Sequence, residues 1–341
     1  MERPSKIVVL YNTDFDAEEA VDATSVAASA RAINDALVER GYAAHLWGIH
    51  GVDAFDVLAR LRTHAPDIVF NLCESMEGDS RNEPTLAGLL DLYKMPYTGT
   101  DLLGLASCLH KQRTKDILIA RGIPTPPYRF LDGADHPALE TLDYPWFLKL
   151  AHEDASVGIT EANLVRTADA LRKRTRELMA EFQQPVIAER YVEGREINVT
   201  VIGNGNDVEI LPLHEIDFSA MPKERPRIVS YAAKWDENHI DYAGTKPVPL
   251  RDASPELVAN IQMAARGAYA ALGLRDYGRV DLRVDEQGTP WVIDVNPNCD
   301  ISPDAGVARA AKVAGYSYSA LIELIMIAAW KRVTRPRRAT S

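Results

Sequence analysis

Residues 278–298, GRVDLRVDEQGTPWVIDVNPN, hold the densest chemistry in the chain, because two runs of alternating apolar and polar residues flank a Gln-Gly pair and both carry acids. If Gln287–Gly288 is a two-residue loop, Glu286 pairs with Thr289, Asp281 with Asp294 and Arg279 with Asn296, and those last four residues share one face. Val280, Leu282 and Val284 then fill the other face of the first strand, and Trp291, Ile293 and Val295 that of the second. A loop with an odd residue count would send the acids to different faces. Directly opposed carboxylates lie roughly 5 Å apart at Cβ and repel one another unless a cation intervenes. Two carboxylates and an amide (Asp281, Asp294, Asn296) form an all-oxygen donor set suited to a hard ion such as Mg²⁺, which keeps waters and binds substrate phosphates. The same spacing also fits a solvated sheet face with Arg279 and Arg283 as counter-charges.

Other residues point to anions. Lys149 interrupts the apolar run WFLKL, where an unpaired ammonium is costly and an anionic partner is expected; the alternative is a lysine snorkelling from an edge strand. The loop HEDASVGI that follows offers Ala155, Ser156 and Gly158, small residues that let backbone N–H groups close over phosphate oxygens, as well as serving as an ordinary connector. Glu196, Asn198 and Thr200 recur with the period of a strand, a polar face that fits either a binding surface or plain exposure. His152 reads as a loop residue rather than a base.

Stepping outward, the first hundred residues alternate strands (Lys6–Tyr11, His45–Ile49, Asp67–Asn71) with helices (about Glu18–Arg40 ending at Gly41, Val52–His64, Thr85–Tyr93), the pattern of a parallel sheet with crossover helices. One helix is expected over Leu102–Arg121, followed by a break at Gly122 and the prolines at 124, 126 and 127. The middle reads strand (Trp146–Leu150), helix (Thr167–Phe182), strand (Pro185–Arg190). A hairpin follows, Glu196–Ile202 and Val208–Leu213 around the turn GNGN. Residues 217–250 look irregular, in the manner of a substrate loop, and helices are expected at Pro255–Gly273 and near Tyr318–Arg332.

The bulk numbers bound the function. The chain has 341 residues, 46% hydrophobic and 26% charged, enough for a packed core in two or three lobes. A net charge of -11 provides no general field for nucleic acid or anionic lipid. Three cysteines without CxxC spacing indicate neither a zinc site nor a disulfide framework and fit a reducing cytoplasm. The longest apolar stretch, Ala320 to Trp330, contains Glu323 and is shorter than the roughly 20 residues a spanning helix needs, so no membrane role is expected. Strand one leads into YNTDFDAEEA, without the glycines of a nicotinamide-binding turn, and no GxxxxGK[ST] occurs.

Several separated motifs stand in order along the chain: EPTLAGLLDLYKMPYTGT, the lysine of CLHKQRTK, FLKLAHEDASVGI, IAERYVEGREINVTVIG, YAAKW, GRVDLRV and VIDVNPN. In these the chain resembles the ATP-grasp superfamily, specifically its D-alanine–D-alanine ligase group, over nearly its whole length. The resemblance implies an α/β protein of ATP-grasp architecture, with a Rossmann-like N-terminal lobe (1–105), a central lobe (106–190) and a C-terminal lobe with the metal and substrate site (191–334) before a basic tail (335–341); the last two lobes sandwich ATP. It also implies an ADP-forming carboxylate–amine ligase working through an acyl phosphate, with two Mg²⁺ ions, or Mn²⁺ as a substitute, on Asp281, Asp294 and Asn296. Lys111 and Lys149 would contact the phosphates. Glu189 would accept from the adenine amino group, backbone groups of Arg190 and Val192 would read the base edge, Glu196 would hold the ribose hydroxyls, and Ile293 belongs to the nucleotide-binding set. Arg279, Lys234 and Ser156 would be catalytic, Ser156 lying in a flap that closes over the nucleotide, and the protein would be a cytoplasmic homodimer acting on small amino-acid-like molecules.

Departures fall at substrate-facing positions. The family's flap serine and the tyrosine after the phosphate lysine read Ala155 and Trp235 here, although Glu18, beside Glu19, matches their N-terminal glutamate partner. Asn-Thr-Ser-Pro-Gly becomes Asn296-Pro297-Asn298-Cys299-Asp300, the metal-bridging Glu becomes Asp294, and His-Gly near the first substrate becomes Asn71-Leu72-Cys73-Glu74. Glu18, Asn298 and Asp300 are the expected substrate contacts. The departures suggest non-standard amino-acid or peptide substrates. True D-alanine–D-alanine synthesis is the alternative, and an idle ATP-binding module the alternative of another class.

Overall fold

The structure, a computed structural model, describes residues 3–13, 21–135, 139 and 142–334. Three sheets carry the chain. In the first, β1 (Lys6–Asn12) lies between β2 (Ala43–Ile49) and β3 (Ile68–Asn71), all parallel. Ile7 to Leu10 are fully buried because helices cover both faces of a parallel strand, which leaves no room for alternation. The helices Val21–Glu39, Ala54–His64 and Glu83–Leu92 pack there. Gly41 follows the first of these with φ +87, the left-handed C′ position expected of it.

The expected helix over 102–121 is two helices, Leu102–Leu109 and Lys111–Ala120. His110 leaves the helical region (φ −87, ψ 89), and the Lys111 N–H donates to the Ala151 carbonyl at 3.1 Å. A long-range bond thus replaces a local one and places Lys111 in the first turn of a new helix.

The second sheet has order β4 (Tyr128–Leu131), β7 (Val186–Arg190), β5 (Trp146–Leu150), β6 (Leu164–Val165), and the helix Ala168–Phe182 closes its core. The third runs β11 (Lys246–Pro249), β10 (His214–Asp217), β8 (Arg195–Asn204), β12 (Tyr277–Val284), β13 (Pro290–Pro297), with β9 (Asp207–Ile210) beside β8. Its apolar face, including Ile197, Val199, Val280 and Leu282, packs on the helix Pro255–Ala271. Residues 217–250 are less irregular than expected, with short helices at Tyr231–Trp235 and Ile240–Gly244 before β11. The helix Gly306–Val313 was not expected; alanines dominate it and its apolar signal is short. The last helix is Tyr318–Thr334, and no single helix among the described residues is long and apolar enough to cross a membrane.

In the β12–β13 hairpin Asp281 opposes Asp294 and Arg279 opposes Asn296, as expected, but by another route. The turn is not the two-residue Gln287–Gly288 loop. Val284 pairs with Pro290, so residues 285–289 form an odd-numbered loop, tied by Gly288 N–H to Asp285 O and by the Asp285 carboxylate to the Gln287 and Thr289 N–H groups. A bulge then inserts Ile293, so that Leu282 pairs with Val292 while Asp281 still pairs with Asp294. One extra residue in the loop and one in the strand cancel, which returns both acids to one face. The expected face of Trp291 and Ile293 is corrected accordingly: Val292 and Val295 are the core residues and Trp291 opposes Arg283.

Asp276, fully buried just before β12 with φ +66, joins the first and third sheets to the last helix. Its carboxylate accepts from Gly99 N (2.9 Å), Asn204 Nδ2 (2.8 Å) and Arg332 Nε and Nη2 (3.1 and 2.9 Å). Arg332 is therefore an anchor for the last helix; residues 335–341, the expected basic tail, lie outside the described residues. Asp276→Ala is expected to cost about 3 kcal/mol in chemical denaturation, because the Arg332 cation and two donors lose their acceptor at once. Asp276→Asn, which tolerates the left-handed backbone and keeps an acceptor, should cost less.

Candidate active site

The polar face of the third sheet looks across a cleft of about 1800 Å³ at the second sheet and at the end of the first. Cross-strand register sets its floor: Glu196, Asn198 and Thr200 on β8 oppose Arg283, Asp281 and Arg279 on β12. This floor is not a solvated face, since Asp281 is 8% exposed. Its carboxylate accepts from Arg279 Nε and Nη2 (both 2.8 Å), Asn198 Nδ2 (2.8 Å) and Asn296 Nδ2 (3.0 Å). Burial works against the Arg279 charge, and Asp281 more than offsets it.

Asp294 is neutralised from the facing elements. Burial alone would raise its carboxyl, but Lys111, Lys149, Lys115 and Arg279 hold it below the usual carboxylate range. Lys111 Nζ lies 4.0 Å from Asp294 Oδ1 and donates to Asp154 Oδ1 at 2.7 Å. Lys149 has the anionic partner its setting demands: Nζ is 3.4 Å from Glu189 Oε2 and donates to the bulged Ile293 carbonyl at 3.0 Å.

Lys115, which sequence reasoning passed over, completes this cluster. It is 2% exposed, 3.2 Å from Glu189 Oε1, and bonded to Thr125 Oγ1 and Val292 O. Burial pushes its pKa down to about 8 against the pull of Glu189. The available signal was its position four residues after Lys111 in one helix, which places both ammonium groups on one side.

The segment after β7 bends across the cleft. Glu189 is 3% exposed and sits between Lys115 and Lys149, so its carboxylate is already shared with two cations where adenine contact was expected. The Arg190 N–H is engaged by Pro127 O at 2.8 Å, whereas the Val192 N–H meets no backbone acceptor among the described residues. Glu196 Oε2 accepts from Arg283 Nη1 at 3.0 Å.

Residues 154–159 lean on the 229–235 segment. Ser156 Oγ donates to Val229 O (3.1 Å), Tyr231 N to Ile159 O (3.0 Å) and Trp235 Nε1 to Ala155 O (3.4 Å). Ala155, Ser156 and Gly158 all have positive φ, a costly conformation for the first two that strings N–H groups around a concavity. Trp235 thus contacts the flap backbone, in place of a hydroxyl pair. Lys234 lines the cleft with its side chain exposed; the cleft walls and then Arg279 lower its pKa. His152 bonds ring-to-ring with His110 at 2.9 Å.

The expected substrate contacts divide. Asn298 lines the cleft and is also a structural tie: Oδ1 accepts from Thr100 N (3.0 Å), Nδ2 donates to Glu83 Oε1 (3.1 Å), and a side chain on Gly99 would strike Oδ1. Asp300 lines the cleft, exposed, with Oδ1 accepting from Ser302 N. Glu18 lies outside the described residues.

The donor chemistry fits a hard divalent cation. Asp281, Asp294 and Asn296 stand together on adjacent strands with two carboxylates and an amide to offer, and Arg279, Lys111 and the Asn296 Nδ2 occupy the positions of a cation beside the acids. The lysines supply charge for phosphates, so the cleft can hold a metal–polyphosphate and an anionic reacting group together.

A family model described as D-ala D-ala ligase C-terminus matches residues 117–327. A D-alanine–D-alanine ligase of Bordetella pertussis is 31% identical over 317 residues, 91% of this chain and 92% of that one. An uncharacterised protein of Sinorhizobium fredii is 31% identical over 265 residues, 78% of this chain and 75% of that one. The structure of D-alanine–D-alanine ligase from Bacillus anthracis complexed with ATP has a TM-score of 0.74 at 20% identity, covering 96% of this chain and 98% of that chain, which shows the ATP-grasp fold.

Asn298→Ala is expected to lower stability by about 2 kcal/mol, because the buried Thr100 N–H loses its acceptor. Thermal denaturation checks this; an unchanged melting temperature would place Asn298 outside the structural frame.

Proposed function

This chain belongs to the D-alanine–D-alanine ligase family of ATP-grasp enzymes, and on that premise we propose that it joins two small amino acids of the D-alanine type. It is an ATP-dependent, ADP-forming carbon–nitrogen ligase. The observation that carries the reading is the meeting, in one cleft, of the Asp281–Asp294 pair with Lys111 and Lys149 from the opposite wall.

In this reading the first amino acid's carboxylate oxygen attacks the γ-phosphorus and ADP leaves. The second amino acid, having lost a proton from its ammonium, attacks the acyl carbon; the bond from that carbon to the phosphate oxygen breaks, phosphate leaves with the electron pair, and the nitrogen gives up a second proton to leave the amide. Lys111, Lys149 and Lys234 hold the phosphates, and the Val192 N–H and the Arg190 carbonyl take the base edge. Glu196 takes the ribose hydroxyls. Asp281, Asp294 and Asn296 would hold Mg²⁺, which when bound draws electron density from the transferring phosphoryl group. Arg279, released from Asp281, steadies the negative charge that develops on the oxygen of the attacked acyl carbon. Ser156 fastens the flap to the 229–235 segment and keeps water from the acyl phosphate.

A second reading, a ligase with an altered acceptor, rests on Asp300, an exposed acid in the cleft near the hairpin end, which is a poor host for an incoming carboxylate. ADP and phosphate release should be measured with a panel of D- and L-amino acids, singly and in pairs. D-Ala alone should support turnover; turnover only with a cationic or carboxylate-free acceptor selects the second reading, and none with any pair leaves an idle ATP-binding module. Asp281→Asn and Asp294→Asn should each reduce turnover by about 100-fold or more.

A further inference from the structure

Arg283 stands directly opposite Glu196 across β12 and β8, on the same face as the Asp281 and Arg279 positions. It is 4% exposed, yet it lines the cleft. Nη1 donates to Glu196 Oε2 (3.0 Å) and to the Arg227 carbonyl (2.8 Å); Nη2 donates to the Gly194 carbonyl (3.0 Å) and the Tyr191 hydroxyl (3.3 Å). The guanidinium carbon lies 4.9 Å from the centre of the Tyr191 ring. One planar cation therefore fastens the bend that follows β7, the carboxylate of Glu196 and the start of the segment leading to Lys234.

The division of labour on Glu196 is the informative part. Arg283 takes Oε2, and no donor among the described residues bonds Oε1. Burial pushes the Glu196 carboxyl upward and Arg283 pulls it back. A buried carboxylate with one oxygen on a fixed guanidinium and the other unclaimed is a preorganised acceptor for a hydroxyl, and only an arginine fork can reach four acceptors in this arrangement.

We propose that Arg283 is the positioning residue for ribose recognition: it fixes the Glu196 carboxyl group in place with one oxygen aimed into the cleft, so that the enzyme's preference for a nucleotide bearing both ribose hydroxyls depends on Arg283 without its touching them. This rests on the reading that Glu196 holds the ribose. Its competitor is a purely structural ion pair, which would affect all nucleotides alike.

The experiment measures kcat/KM of the full-length enzyme for ATP, 2′-deoxy-ATP and 3′-deoxy-ATP with a saturating amino-acid pair. A charge-assisted hydrogen bond to a hydroxyl corresponds to about 10- to 100-fold in preference for ATP over at least one deoxy analogue. Glu196→Gln should reduce that preference to about threefold or less, and Arg283→Met should do the same, with no further loss in the double variant. Arg283→Lys, which keeps the charge and guards against a folding failure of the Met variant, should lose at least threefold of the preference because one ammonium cannot bridge these acceptors. If Glu196→Gln removes the preference while Arg283→Met and Arg283→Lys retain it, the proposal is overturned and Glu196 keeps its role. If Glu196→Gln itself retains the preference, the ribose reading fails and the proposal falls with it.

Discussion

Two carboxylates held face to face on neighbouring strands cannot both stay ionised in a cleft without nearby positive charge, and much of the structure answers that constraint. Asp281 is met from its own strand by Arg279, two residues before it, while Asp294 is met from across the cleft by Lys111 and Lys149. The lysines raise the opposite difficulty, three ammonium groups within one buried region, and Glu189 resolves it by sitting between Lys115 and Lys149. Buried ion pairs of this kind are weak sources of stability, because desolvation consumes most of what attraction returns. Their value lies in readiness. A site whose acids and cations are already compensated can exchange internal partners for a metal and a polyphosphate without creating an unpaired charge at any stage.

The constraint reaches the backbone as well. The break at His110, the bulge at Ile293 and the left-handed residues of the flap are the places where local structure yields to the cleft. The break lets the helix begin at Lys111, and the bulge points the Ile293 carbonyl at Lys149 while keeping both acids on one face. Ala155 and Ser156 adopt costly left-handed conformations to form the concavity that follows Asp154, the partner of Lys111. Three contacts tie residues 155–159 to the 229–235 segment.

Periodicity made much of this legible. The alternation of short strands with longer helices announced the parallel first sheet, and alternation in GRVDLRV and WVIDVNPN placed Asp281 opposite Asp294. Lys149, stranded in an apolar run, required a buried anion, although nothing local could say that it was Glu189. The rest was hidden by distance along the chain. Arg283 looked like a surface counter-charge because its partners come from residues 191–227, and the structural bonds of Asn298 were hidden because Thr100 and Glu83 lie about two hundred residues earlier. The hairpin register was reached through a wrong turn length, since a sequence pattern cannot distinguish an even loop from an odd loop compensated by a bulge.

We propose that the opposed acids and the amide beside them form a divalent-cation floor under the nucleotide's terminal phosphates, with Arg279 standing in as counter-charge until the cation arrives. A crystal structure with a nonhydrolysable ATP analogue and Mn²⁺, whose anomalous scattering locates the ion without prior assumption, tests it most directly. Manganese is predicted within bonding distance of oxygens from Asp281, Asp294 and Asn296, with Arg279 turned away from Asp281. Manganese bound elsewhere, or an Arg279–Asp281 pair intact beside a fully bound nucleotide, would contradict it.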